Sequence, residues 1–190
     1  MRVKRDDCVL VVVDVQQRLV ETIAEHEAVV HSIVALVKAA EVLRLPVLAT
    51  EQENLGETVP DIKTLLHNDA TRKLSFSSCD SLEFMTNLNA ARRKTVIICG
   101  IEAHICVLQT VLDLIQNRYS VVVVSDATSS HSVGDRDAAI RRSEASGAVI
   151  TTCEAIIYEL SERAGTDEFR SILQIVKLRR ASLEQLESKH

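Results

Sequence analysis

A chain of 190 residues with 22 Lys plus Arg against 27 Asp plus Glu carries a formal net charge of -5, the wrong sign for a protein whose main work is gripping nucleic-acid backbones. Its 46% hydrophobic and 26% charged residues, with only five glycines and two prolines, exclude long low-complexity segments and read as a single ordered domain over residues 1–190. No apolar run reaches the roughly 20 residues that cross a bilayer. The start MRVKRDDCVLVVVD enters a strand too early for a secretory leader, and five cysteines without CxxC or Cys/His spacing favour neither a disulfide framework nor a zinc site, so a reducing, cytoplasmic setting is expected.

The first apolar run, CVLVVVD at 8–14, is rich in β-branched residues and does not alternate polar with apolar, which is how a strand buried on both faces reads. Asp14 ends it, partly desolvated, and serves either as a tuned general base or as the cap of the next helix. Gln16 and Gln17 follow at the same edge. Val30, Ile33, Val34 and Val37 then repeat at helical spacing, and PVLAT at 46–50 reads as a second strand.

Residues 51–80 form the longest polar excursion, with Gly56 and Pro60 inside it, and a segment of this kind in a compact domain is a functional loop. Glu51, Glu53 and Glu57 make an acidic patch near the expected mouth, which would disfavour anionic substrates. Lys73 lies in the same loop, where spacing alone does not separate it from Arg72 or Lys63. Phe76 follows three residues later.

TVIICG at 95–100 is a third strand, and CGIEAHICVLQTVLDL runs from its end into a helix whose core stripe is Leu108, Val111, Leu112 and Ile115. With that helix beginning near His104, Cys106 falls about 200° around from Leu108, off the stripe. A first-turn position puts the thiol in the positive end of the helix dipole, which lowers its pKa. Position alone leaves two readings open, a reactive nucleophile and a small buried apolar side chain. His104 is a candidate base, though residues two apart on a helix point to different sides.

SVVVVSD at 120–126 and GAVIT at 147–151 complete five evident strands, and Ser132 with Asp135 reads as a capping box between them. Thr166 to Leu186 is an amphipathic helix with Phe169, Ile172, Leu173 and Val176 on one side, packing on its own domain or on a neighbouring subunit. The final Ser-Lys-His differs in its last residue from a peroxisomal address.

Strands alternating with helices predict an α/β fold: a three-layer, doubly wound, mostly parallel sheet of about six strands, Rossmann-like, with helices on both faces. A sixth strand is not evident from pattern. In such a sheet ligands bind beyond the carboxyl ends of the strands, which selects Asp14, Glu51, Gly100 with the residues after it, and Asp126. Gln16, Glu51, Phe76 and His104 are the pocket candidates at that edge. No GxSxG, P-loop or GxGxxG is present, and no cofactor is expected.

The segments VVVDVQ, LPVLATEQENLGET, RKLSFS, VIICGIEAHICVLQT, VVVVSDATSSHSVGDRD and SGAVITTCEAI together resemble the isochorismatase-like cysteine hydrolase superfamily, most closely its isochorismatase domain-containing eukaryotic branch, over nearly all of the chain. The resemblance implies Asp14 as catalytic aspartate, Lys73 as catalytic lysine and Cys106 as nucleophile. It also implies a cis peptide at Ile101–Glu102 and an oxyanion hole from the N–H groups of Glu102 and Cys106. Two departures narrow it. Related nicotinamidases hold a metal through aspartate and histidines after the second strand, where this chain has Glu51, Gln52, Glu53 and Asn54 with no histidine before His67, so no metal is expected. Isochorismatases that split a vinyl ether do not keep the cysteine, so C–N hydrolysis of a small amide is the expected chemistry. The competing reading is a scaffold or binding protein on the same fold; a nuclease has least support, with two Tyr, three Phe and no Trp for base stacking. A homo-oligomer is expected, and no membrane or nucleic-acid partner.

Overall fold

The structure, a computed structural model, describes residues 2–188; Met1 and the last two residues of the terminal Ser-Lys-His lie outside the described residues. Six parallel strands form one sheet: β1 (Cys8–Val13), β2 (Val47–Gln52), β3 (Thr71–Lys73), β4 (Thr95–Gly100), β5 (Ser120–Thr128) and β6 (Val149–Thr151), in the order β3-β2-β1-β4-β5-β6. The helices are α1 (Gln17–Val20), α2 (His26–Leu43), α3 (Pro60–Lys63), α4 (Leu82–Ala90), α5 (Leu108–Gln116), α6 (Val133–Ala145), α7 (Cys153–Ser161) and α8 (Asp167–Glu187).

The two-sided burial expected of the apolar runs is seen directly in β1. Cys8, Leu10 and Val12 point into a core shared with α2, α7 and α8, while Val9, Val11 and Val13 point into a second core shared with α4 and α5. Successive side chains alternate faces, so a strand buried between two helical layers must be apolar at every position. The result is a three-layer α/β fold, as expected.

The sixth strand is β3, which the polar loop conceals. Its three residues, Thr-Arg-Lys, carry no apolar signature, and it is ordered by pairing with β2, Thr50 with Thr71 and Gln52 with Lys73. Strand ends also differ from expectation. β1 stops before Asp14, β2 runs on to Gln52, and β5 runs past a register shift to Thr128, so that Asp126 lies within it.

The C-terminal helix packs on α2 and α7 of its own chain, through the fully buried Ile172 and the nearly buried Val176. Thr166 caps it, its hydroxyl accepting from the Phe169 N–H at 3.0 Å. Among the described residues no helix is long and apolar enough to cross a membrane.

Sequence order reverses direction across the sheet between β1 and β4, and their carboxyl ends open the crevice where doubly wound sheets take ligands. Gly100 lets those ends close up. Its φ is 124°, and a Cβ there would stand 2.1 Å from the Val13 carbonyl oxygen, so only glycine fits. The approach lets the Ile101 N–H donate to Val13 O at 2.9 Å. Gly100→Ala should therefore cost roughly 2–4 kcal/mol in urea-unfolding measurements, because relief requires moving backbone and not a flexible side chain.

Candidate active site

The site is built from the end of β1 outward. Asp14 follows the strand in the left-handed region, φ 51°, a conformation that Asp tolerates better than most residues. The turn sends its carboxylate into the crevice, fully buried. It is not a helix cap, since α1 starts from Gln16 without a side-chain cap. Thr50 donates its hydroxyl to Asp14 Oδ1 at 2.7 Å, and Lys73 Nζ donates to Oδ2 at 2.6 Å.

Lys73 reaches the carboxylate because β3 pairs in register with β2. Its side chain has no exposure, and Nζ also faces Gln52 Oε1 at 3.1 Å, Ser75 O at 3.1 Å and Phe76 O at 3.0 Å. Four acceptors around a three-proton head fix the ammonium in place. An unpaired lysine would be strongly disfavoured at this depth.

Cys106 lies in a π-helical turn, Ala103–Val107, that precedes α5. Such turns carry an extra residue and recur at functional sites. Thr110, one turn after Cys106, is also fully buried, so the buried face is wider than the stripe expected from Leu108, Val111, Leu112 and Ile115. Cys106 is 6% exposed and joins Val107, Val111 and Leu114 in the second core, so it is on the buried face and not off it. Burial pushes the thiol up to about 12, the Asp14 charge adding to the rise and Lys73 opposing it. The lowering expected from the helix dipole is thus outweighed, and the resting thiol is protonated.

The Ile101–Glu102 peptide is cis. Among the described residues the Glu102 N–H donates to no acceptor in the chain, while the neighbouring Ala103 N–H is held by Ser129 O at 2.8 Å. The Glu102 carboxylate turns away to accept from the His131 N–H at 2.9 Å.

Of the pocket candidates, Phe76 is 53% exposed beside the site, its carbonyl committed to Lys73. Gln16 is fully buried and binds the backbone of Gln52 and Gly56, so it ties down the 52–56 loop and does not face a mouth. His104 is held by Ser130 Oγ at 2.9 Å. Glu51 points to the face of β2 opposite Thr50 and Gln52, where it accepts from the Thr58 N–H and hydroxyl at 2.7 and 2.8 Å. Glu57 pairs with Lys63 at the surface and Glu53 is exposed. The expected acidic patch therefore does not exist as a unit beside the Lys73–Asp14 pair. Asp126 is drawn off to Arg179 of α8 at 2.6 Å. Among the described residues no group of three or more His, Cys, Asp or Glu side chains converges as metal ligands.

Sequence reasoning missed Thr50, Gln52 and Thr110. The first two occupy alternate positions at the carboxyl end of β2, a period-two signal hidden because the strand's end was assigned to the loop. Thr110, four residues after Cys106 and fully buried, donates to Cys106 O at 2.7 Å and accepts from the Ser78 N–H at 2.9 Å. It joins the cysteine's turn to the segment that follows Lys73.

Fold and crevice define an isochorismatase-like α/β protein. The Isochorismatase domain family model matches residues 8–155, and the chain belongs to that family. It is similar to the secreted isochorismatase effector Isc1 of Phytophthora sojae, 40% identical over 176 residues that cover 89% of this chain and 84% of that protein. Isochorismatase domain-containing protein 2 of Homo sapiens is 35% identical over 181 residues, covering 93% and 86%. The solved structure of MAR1 ribonuclease from Caenorhabditis elegans superimposes with a TM-score of 0.87 at 34% identity, covering 93% of this chain and 92% of that one.

Two outcomes follow from the site's geometry. Since the resting thiol is neutral, iodoacetamide labelling of Cys106 should be slow at about pH 7 and rise roughly tenfold per pH unit into the alkaline range without an early plateau, as peptide mapping by mass spectrometry would read. Thr110→Val orphans the buried Ser78 N–H and should cost about 1–3 kcal/mol of stability, with faster hydrogen exchange at Ser78.

Proposed function

We propose that the chain is a metal-independent cysteine hydrolase that cleaves the C–N bond of a small amide through a covalent intermediate on Cys106. The reading rests on one observation: a buried Lys73–Asp14 pair at 2.6 Å whose carboxylate also faces the Cys106 thiol, at the sheet's ligand crevice. Asp14 takes the thiol proton as the sulfur attacks the carbonyl carbon, so the thiolate never stands free. Lys73, bonded to Asp14 Oδ2, balances the charge that passes from carboxylate to sulfur.

The carbonyl electron pair moves onto oxygen, where the N–H groups of Glu102 and Cys106 receive it. Collapse of this intermediate breaks the C–N bond, and Asp14 returns its proton to the departing amine. A water then gives a proton to Asp14 and attacks the thioester; the C–S bond breaks, the carboxylic acid leaves, and Asp14 returns that proton to the sulfur, restoring the thiol. Phe76, half exposed beside Lys73, contributes an apolar wall for the substrate.

The proposal takes residues 1–190 as one catalytic domain acting in the cytoplasm as a homo-oligomer. Leu74, Phe76 and Leu82 supply exposed apolar surface for assembly. No step uses a metal: the residues after β2 are Glu53 and Asn54, and the Glu51 carboxylate is already bonded to Thr58. The ribonuclease activity named for the nematode relative is a different chemistry. The negative charge of this chain and the burial of Lys73 disfavour an RNA substrate.

The test is a screen of small amides for acid and amine release, with nicotinamide, isochorismate and RNA as comparators. Cys106→Ser should lower turnover at least about a thousandfold while keeping the fold, and trapping should leave the acyl mass on Cys106 of the wild type. Lys73→Met should abolish turnover and also destabilise by about 3–5 kcal/mol, since it strands a buried carboxylate. Amide turnover undiminished in Cys106→Ser, or RNA cleavage that depends on Cys106, would overturn the proposal.

A further inference from the structure

The amino edge of the sheet lies opposite the crevice, and the turns that enter four adjacent strands are stitched side by side along it. The Leu10 N–H of β1 donates to Pro46 O before β2 at 2.9 Å, the Lys94 N–H before β4 to Asp7 O before β1 at 3.1 Å, and the Ser120 N–H of β5 to Lys94 O at 2.9 Å. Lys4, Arg44, Arg92, Arg93, Lys94 and Arg118 all stand on these turns. We propose that this face docks the chain on the anionic surface of a lipid bilayer, the head groups supplying counter-charge and the crevice left facing solvent.

Three observations carry the docking face. First, none of the six cations makes an ion pair among the described residues, and all but Arg93 are exposed. Arg5 beside them is taken by Glu168 at 2.7 Å, and Glu159 by the Val3 N–H at 2.6 Å. The carboxylates on the turns themselves are Asp6 and Asp7, with Glu41 and Asp113 a helical turn behind. The edge therefore keeps an excess of positive charge in a chain whose net charge is -5.

Second, Arg44, Arg92 and Arg118 follow the ends of α2, α4 and α5 in the left-handed region, with φ of 57°, 53° and 66°. Glycine is the residue most favoured there, since a β-carbon is strained in that conformation. The helix dipole accounts for a cation near a carboxyl end, but a last-turn position serves it without the strain. Three helix ends at one edge thus hold a guanidinium where glycine fits better.

Third, Arg93 is half-buried, and its Nε has no partner among the described residues. A guanidinium at that depth without counter-charge is disfavoured, and an anionic surface brought against the edge supplies one.

The form of the face selects the partner. Four strand entries span roughly 15 Å, so the cations meet a surface and not a line. The aromatic side chain among them, Tyr119, is held by Asn89 Oδ1 at 2.7 Å. Single-stranded nucleic acid calls for a groove with free stacking rings, and a duplex is read by an element that enters its groove. Head groups call only for surface charge. The expectation of no membrane partner came from the lack of long apolar runs, which a charged face does not require. Docking involves none of Asp14, Lys73 and Cys106, so it is separable from hydrolysis.

Vesicles of phosphatidylcholine with about 30% phosphatidylserine are the probe in a sedimentation assay at about 50 mM NaCl, with pure phosphatidylcholine as the neutral control. The expected result is binding at least about tenfold stronger to the anionic vesicles, lost by about 500 mM NaCl. The triple variant Arg44→Gly, Arg92→Gly, Arg118→Gly removes three charges and gives each left-handed position its favoured residue, so it should melt within about 5 °C of the wild type. Its vesicle binding should fall about a hundredfold, near fivefold for each cation. Lys4→Gln with Lys94→Gln, on exposed side chains, should lower binding about twentyfold. Lys38→Gln with Lys63→Gln and Lys177→Gln removes the same charge as the glycine variant from other faces and should change binding less than about threefold. The proposal is overturned by equal binding to both vesicles, by wild-type binding in the glycine and Lys4/Lys94 variants, or by an equal loss in the Lys38/Lys63/Lys177 variant. It is also overturned if duplex RNA of about 20 base pairs, at equal phosphate concentration, is bound more tightly than the vesicles through the same arginines.

Discussion

Everything at the crevice is arranged around one ion pair from which water has been removed. Lys73 Nζ and Asp14 Oδ2 stand 2.6 Å apart with neither side chain exposed. Charges at that depth are tolerated only when paired and hydrogen-bonded on their remaining sides, and here Thr50, Gln52 and two carbonyls of the 75–76 segment complete the shell. The pair therefore dictates where β2, β3 and the loop after β3 must lie. The Cys106 thiol lies near enough to the same carboxylate to feel its charge.

The chain brings the groups together from separate stretches of sequence by backbone devices. Asp14 uses a left-handed turn at the end of a rigid apolar strand. Gly100 removes the Cβ that would hold β4 away from β1, and the π-helical turn after it carries Cys106 on its buried face. Thr110 and Ser78 then link the turn of Cys106 to the segment beyond Lys73. Each device is local, but they act on a common few ångströms of the crevice.

The α/β layering was legible because residues such as Val9 to Val13 must be apolar to be buried twice, and that constraint is written in composition alone. Asp14 was visible as a charge ending such a run. Lys73 was not visible from spacing, because β3 is three polar residues ordered by pairing and not by burial of an apolar face; resemblance to a family selected it. Cys106 was placed off the core because the expected stripe left out Thr110 and Leu114, which widen the buried face to include it. Glu51, Gln16 and Asp126 show the complementary error. Polar groups at the expected edge are as readily consumed by the fold, on Thr58, on a loop backbone and on Arg179, as offered to a ligand.

The sheet delivers its buried cation from one of its two three-residue edge strands. β3 is an edge strand of three residues, bonded to β2 alone, and Leu74 directly after it is 73% exposed. Edge segments with few buried contacts open at much lower free energy than central strands. Fraying of β3 would carry Lys73 out of the crevice while β1, β4 and β5 stay paired. The protein thus has two stabilities, one for the sheet and a smaller one for the assembled ion pair, and warming or mild denaturant should silence the crevice before the fold is lost.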